Sequence, residues 1–155
     1  MLQPYFEWLG GLPVSLYIGS SIWIYPLIQA FHLVFLTLFA GSILIVDLRL
    51  LGLGMRSQPL AQVARDAKPW LIVGFLGMLA TGIPQLMQNA VREYYSEFFW
   101  YKMELIAIGL ILIFTVRGRL TQAAEPNFAG KLVALVSIAV WGGVVISARL
   151  IGLFT

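Results

Sequence analysis

The sequence predicts an all-α integral membrane protein: a four-helix transmembrane bundle with a short N-terminal interfacial helix. Three observations lead there. Hydrophobic residues make up 60% of the 155-residue chain and charged residues 11%, where a soluble domain carries about 25% charged residues. Four long apolar runs each approach the roughly 20 helical residues that a hydrocarbon core about 30 Å thick requires. Charges collect between those runs. Lipid is therefore the solvent, and the chain reads as a single transmembrane domain over residues 1–155, with helices over 22–51, 69–89, 98–116 and 131–154.

Each element has its own signal. Residues 1–21 are apolar but broken by Gly10, Gly11, Pro13 and Gly19, and they carry Tyr5, Trp8 and Tyr17, which suit the headgroup region. A short helix lying along the surface fits them better than a span. There is no basic leader and no small-residue cleavage site, so the N-terminus does not read as a signal peptide. The first span has no charge until Asp47 and Arg49, which read as a solvated or interhelical pair marking its far, cytoplasmic edge. Pro26 falls in its first turns, where a missing N–H is harmless.

Residues 52–67 read as a polar loop. Pro69 opens the second span, and Pro84 kinks its last turns. The third span needs Lys102 and Glu104 inside its first two turns to reach full length, and Arg117 and Arg119 close it. A loop over 117–131, with Glu125, Pro126 and Gly130, leads to the fourth span, where Gly142 and Gly143 permit close helix approach.

Seven of the ten Lys and Arg residues fall on one side: Arg49, Arg56, Arg65, Lys68, Arg117, Arg119 and Lys131. Only Arg92, Lys102 and Arg149 fall on the other. By the positive-inside rule the first side is cytoplasmic and both termini are extracytoplasmic. The net charge of +3 then reports orientation, not nucleic-acid binding.

Function classes narrow quickly. The chain has no cysteine, so disulfides, thiolate metal sites and iron–sulfur clusters are excluded. No hydrolase triad, phosphate loop or dinucleotide fingerprint is present, and enzymatic chemistry by side chains alone is not expected. The informative residue is His32, the only histidine, deep in the first apolar run. An ionisable group at that depth marks a functional site by default.

Gln29 lies one turn away. On the predicted topology Gln85, Gln88 and Asn89, Lys102 with Glu104, and Arg149 fall in the same outer half, while the inner half is almost wholly apolar. An outward-opening polar pocket is the expectation. His32 has three readings: a packing residue bonded to Gln85 or a carbonyl, a heme or metal ligand, or a proton carrier. One histidine supplies one axial ligand, so a bis-histidine heme needs a homodimer or a partner subunit, or else a Tyr or Met takes the other axial position. Lys102 either snorkels to headgroups or pairs with an acid, and with Arg149 it could hold a carboxylate or phosphate. Lys102 and Glu104 point to different faces.

The pattern W-x-Y-P-L-x-Q-x-x-H-L-x-x-L-x-L-x-x-G-S-I-L-x-x-D-L-R-L-L-G, from Trp23 to Gly52, resembles the first helix of a family of small bacterial inner-membrane proteins. That family has four helices and no assigned function. Thr81-Gly82, Phe99 with Lys102, and Trp141 with Arg149-Leu150-Ile151 fit the same pattern. The family's third helix often carries an Asn and a further His near its inner end, which GLILIFTVRGR lacks here. More distantly, His32 with Lys102 is similar to the four-helix protoporphyrinogen oxidases and the membrane domain of copper-resistance D proteins. The former family binds heme.

These readings together give the expectation of a bacterial inner-membrane subunit holding heme b, or failing that a quinone, at His32, Gln29, Lys102, Arg149 and Gln85, with His32 as the metal ligand. A cofactor-free accessory subunit of a larger membrane complex and a small ion transporter or channel are the competing expectations. The partners expected are the lipid bilayer and further membrane subunits, its own copies included, and no nucleic acid.

Overall fold

The computed structural model describes residues 2–122 and 126–154, so Glu125 of the predicted loop lies outside the described residues. Among them the chain is helical throughout and without strands: α1 (Gln3–Gly10), α2 (Pro13–Ser20), α3 (Ile24–Leu50), α4 (Leu60–Gln88), α5 (Ala90–Tyr94), α6 (Glu97–Leu120) and α7 (Phe128–Phe154). Four of these, α3, α4, α6 and α7, are long and apolar enough to cross a membrane. The chain is a multi-pass membrane protein built on a four-helix bundle.

Two antiparallel hairpins make the bundle. α3 packs most extensively on α4, α6 packs on α7, and a smaller α3–α7 contact joins the hairpins. The N-terminal helices and α5 share one end, called here the terminal end. The loops after α3 and α6 share the other, the loop end. At the terminal end α1 packs on α5 and α4, and Phe6 lies 5.2 Å from Tyr94 and 6.0 Å from Phe99, ring centre to ring centre.

Small residues set the α3–α4 spacing. A Cβ built on Gly74 would lie 2.6 Å from the Phe39 backbone nitrogen, and one on Gly77 would enter the Phe35 ring. Only a hydrogen fits between these backbones, which is how small residues let helices approach in lipid. On the other hairpin Gly109 receives the Trp141 indole, which also meets Phe39 edge-on at 5.0 Å. Phe39, Ile43, Leu71 and Ile113 form the buried apolar layer at this level.

Three sequence expectations need correction. The N-terminal segment forms two short helices, not one, because Pro13 starts a new helix once Gly10 and Gly11 have ended the first. The second long helix begins at Leu60, not Pro69. Leu60, Val63, Ala64 and Ala67 form an i, i+3, i+4, i+7 stripe that packs on Val46, Leu50 and Ala134 near the loop end. Pro69 therefore sits inside the helix, on an exposed face where the carbonyl it leaves unpaired costs least. The third long helix runs to Leu120 by way of a π-helical stretch, Leu112–Arg117.

α3 stops where the sequence reading placed its end. Gly52 takes φ +76°, and the N–H of Leu53 reaches back to the Leu48 carbonyl at 2.9 Å while that of Gly52 reaches the Arg49 carbonyl at 3.0 Å. This Schellman closure requires a left-handed residue, which glycine supplies without strain.

Candidate functional site

His32 lies on the face of α3 turned toward α4 and is half-buried. Its Nδ1 is 2.8 Å from Thr81 Oγ1, and the Thr81 hydroxyl donates to the Gly77 carbonyl at 2.6 Å. A hydroxyl has one proton. With that proton on Gly77, Thr81 would accept from the imidazole, an arrangement in which Nδ1 carries the proton and Nε2 has a bare lone pair. No hydrogen bond to Nε2 is present among the described residues. Gly82 makes room for the ring: a Cβ there would stand 3.2 Å from His32 Cε1.

The remaining polar groups form a ladder along the α3–α4 seam toward the terminal end. Gln85 Nε2 donates to the Thr81 carbonyl at 3.4 Å. Asn89 Nδ2 donates to the Tyr25 hydroxyl at 3.1 Å. Lys102, near the start of α6, lies 3.6 Å from Glu93 and stands 5.0 Å above the Phe99 ring.

The structure therefore brings together part of the expected site. His32 and Gln85 both reach Thr81, through its hydroxyl and its carbonyl. His32 is bonded to Thr81 and not to Gln85. Lys102 finds its acid on α5, and Glu104 is exposed on another face, as the helical spacing requires. Gln29 is exposed and makes no hydrogen bond among the described residues. Arg149 is exposed toward the end of α7 and does not join Lys102.

No described cavity is lined by His32. The larger groove, of about 750 Å³, runs between α3 and α4 toward the loop end and is lined by Val34, Leu38, Ile45 and Trp70 among others. Among the described residues no three His, Cys, Asp or Glu side chains converge as a metal-binding group.

A second cluster keeps only the interhelical half of the expectation for Asp47 and Arg49. Asp47 and Arg49 do not form a solvated edge pair. Both are buried, and they face different partners: Arg49 Nε donates to the Gln58 carbonyl at 3.0 Å, whereas Asp47 meets Ser137 of α7 and Arg117 of α6. The loop-end half of the bundle is thus not purely apolar. Asp47 and Arg117 read in sequence as helix-end charges because each stands within a turn of the apparent end of an apolar run. The available signal was that apolar residues follow each charge, Leu48, Leu50 and Leu51 after Asp47 and Leu120 after Arg117.

Residues 5–154 match the profile of a family of unknown function (DUF6644). No curated protein and no solved structure matches the chain.

Proposed function

Since the chain belongs to this family of unknown function, its role is read from its own residues, and we propose that it is a bacterial inner-membrane subunit binding a hydrophobic redox cofactor at His32, heme b first and a quinone second. The observation that carries this reading is the His32–Thr81–Gly77 relay. Histidines that bind metals characteristically give their other ring N–H to a fixed acceptor, which sets the tautomer and the ring plane. Here Thr81 does both and leaves Nε2 as the ligand atom.

The donor chemistry fits a heme iron, and it equally fits a quinol hydroxyl, which would donate to the same lone pair. Heme would supply reversible one-electron chemistry when bound. The chain's part is to hold Nε2 unprotonated, to orient the ring through Thr81 and Gly82, and to place the Lys102 charge nearby for an anionic substituent. Arg149 stands apart from that role. The distant likeness to four-helix protoporphyrinogen oxidases rests on the same His32 and Lys102 and supports heme over quinone; the likeness to copper-resistance D membrane domains adds no ligand. The orientation with both termini extracytoplasmic is supported by seven of ten cations lying at the loop end, and it puts His32 in the extracytoplasmic half.

The test is the absorption spectrum of the detergent-purified chain, oxidised and dithionite-reduced, alone and after adding hemin, beside His32→Ala. A Soret band that shifts on reduction and disappears in the variant supports the reading. A colourless protein that does not take up hemin, with parent and variant equally folded, removes heme. If ubiquinone or menaquinone then also fails to bind, the accessory-subunit reading takes its place.

A further inference from the structure

Three membrane-spanning helices meet at one buried polar cluster. Asp47 is contributed by α3, Arg117 by the π-helical part of α6, and Ser137 by α7; Asp47 and Ser137 are 0% exposed and Arg117 4%. Ser137 Oγ donates to Asp47 Oδ2 at 2.6 Å, and Arg117 Nη2 donates to the Ile43 carbonyl at 3.0 Å. The ion pair itself is open: Arg117 Nε stands 3.7 Å from Asp47 Oδ1, where a charge-assisted hydrogen bond closes to about 2.7–2.9 Å. Asp47 Oδ1 and Arg117 Nη1 are both fully buried without a hydrogen-bond partner among the described residues. A native bundle does not leave an anionic acceptor and a cationic donor side by side and unserved inside a membrane span.

We propose that Asp47, Arg117 and Ser137 form a hydrated intramembrane site that binds a water molecule bridging Asp47 Oδ1 and Arg117 Nη1. The chemistry of the two atoms selects the ligand. It has to accept from the guanidinium and donate to the carboxylate at once. An anion is repelled by Asp47 and a cation by Arg117, so the occupant is neutral. The near-complete burial of all three residues admits only a very small molecule. Buried waters serve otherwise unpartnered polar groups of this kind.

The π-helical stretch belongs to the same device. Single-turn π insertions cluster at functional sites, and here the inserted residue sets the angular position at which Arg117 leaves α6. The site places a water-contacting carboxylate 15 residues from His32 along α3, on the order of 22 Å at the α-helical rise. It lies beyond the apolar layer of Phe39, Ile43, Leu71 and Ile113, and it stands independently of any cofactor at His32.

Water-edited solid-state NMR on the full chain in lipid bilayers, with ¹⁵N-labelled arginine and ¹³C,¹⁵N-labelled isoleucine, tests it. Loss of a guanidinium signal in Arg117→Lys identifies Arg117, and proximity transfer to the Ile43 carbonyl identifies it independently should that variant fail to fold. Magnetisation from water is expected to reach the Arg117 guanidinium several-fold faster than the backbone amide of Ile43 in the apolar layer. Equal, slow build-up at both would show a dry ion pair and overturn the proposal, whatever the spectrum of the His32 site.

Discussion

At the residue scale, the chemistry of His32 is decided by a hydroxyl on a different helix. The imidazole was visible in the sequence because nothing else ionisable sits so deep in an apolar run. Its partner was not. Thr81 becomes the acceptor only through the packing register of α3 on α4, and it acts as an acceptor only because its own proton goes to Gly77. Thr81→Val keeps the shape and removes the acceptor. Cofactor affinity is expected to fall about 10- to 100-fold, the usual cost of losing the partner that orients a metal-bound histidine, while Thr81→Ser restores it; a hemin titration followed at the Soret band measures both. Lys102 was legible as an exceptional charge, but its pairing with Glu93 depends on where α5 folds back. Arg149 shared a membrane half with the site and nothing more, since sequence places a residue along a helix axis more securely than around it.

At the element scale, the four spans were legible as uninterrupted apolar length. The start of α4 was not, because LAQVARDA is polar in composition and amphipathic in pattern, and Leu60 and Val63 use that pattern to close the core at the loop end. Glycines in long helices read ambiguously until the neighbour is known. Gly74→Ala would drive a methyl into the Phe39 backbone, which has no rotamer to yield. The expected loss is about 1–3 kcal/mol, toward the upper end, read from thermal unfolding in detergent, whereas Gly41→Ala, which meets nothing within 4 Å, should leave stability unchanged. The π-helical stretch was invisible, since no residue type in Leu112–Arg117 marks it. Arg117→Leu leaves Asp47 buried beside no counter-charge and costs on the order of 3–5 kcal/mol by the same thermal unfolding, the price of a broken buried pair.

At the scale of the whole molecule, two tightly packed hairpins are joined by a narrower α3–α7 contact that contains the Asp47–Ser137 bond. The sequence foretold the bundle and not the join, because charges beside apolar runs look alike whether they end in water or in one another. The absence of native cysteine makes orientation directly measurable. Single cysteines at Ser57 and Gln3, both exposed and at opposite ends, should react with a membrane-impermeant maleimide oppositely in intact cells: Gln3→Cys labelled from outside, Ser57→Cys protected until lysis. The reverse pattern would place His32 in the cytoplasmic half.

The most direct measurement of the central claim uses the same economy, since the chain has one histidine and ¹⁵N-histidine labelling reports one imidazole. In the cofactor-free protein at neutral pH, Nδ1 should appear protonated and Nε2 bare. Adding hemin should perturb or broaden the Nε2 resonance first. An Nε2–H tautomer, or perturbation confined to Nδ1, would contradict the account: Thr81 would not be fixing the ring, and His32 would not be offering the atom on which the proposed cofactor site depends.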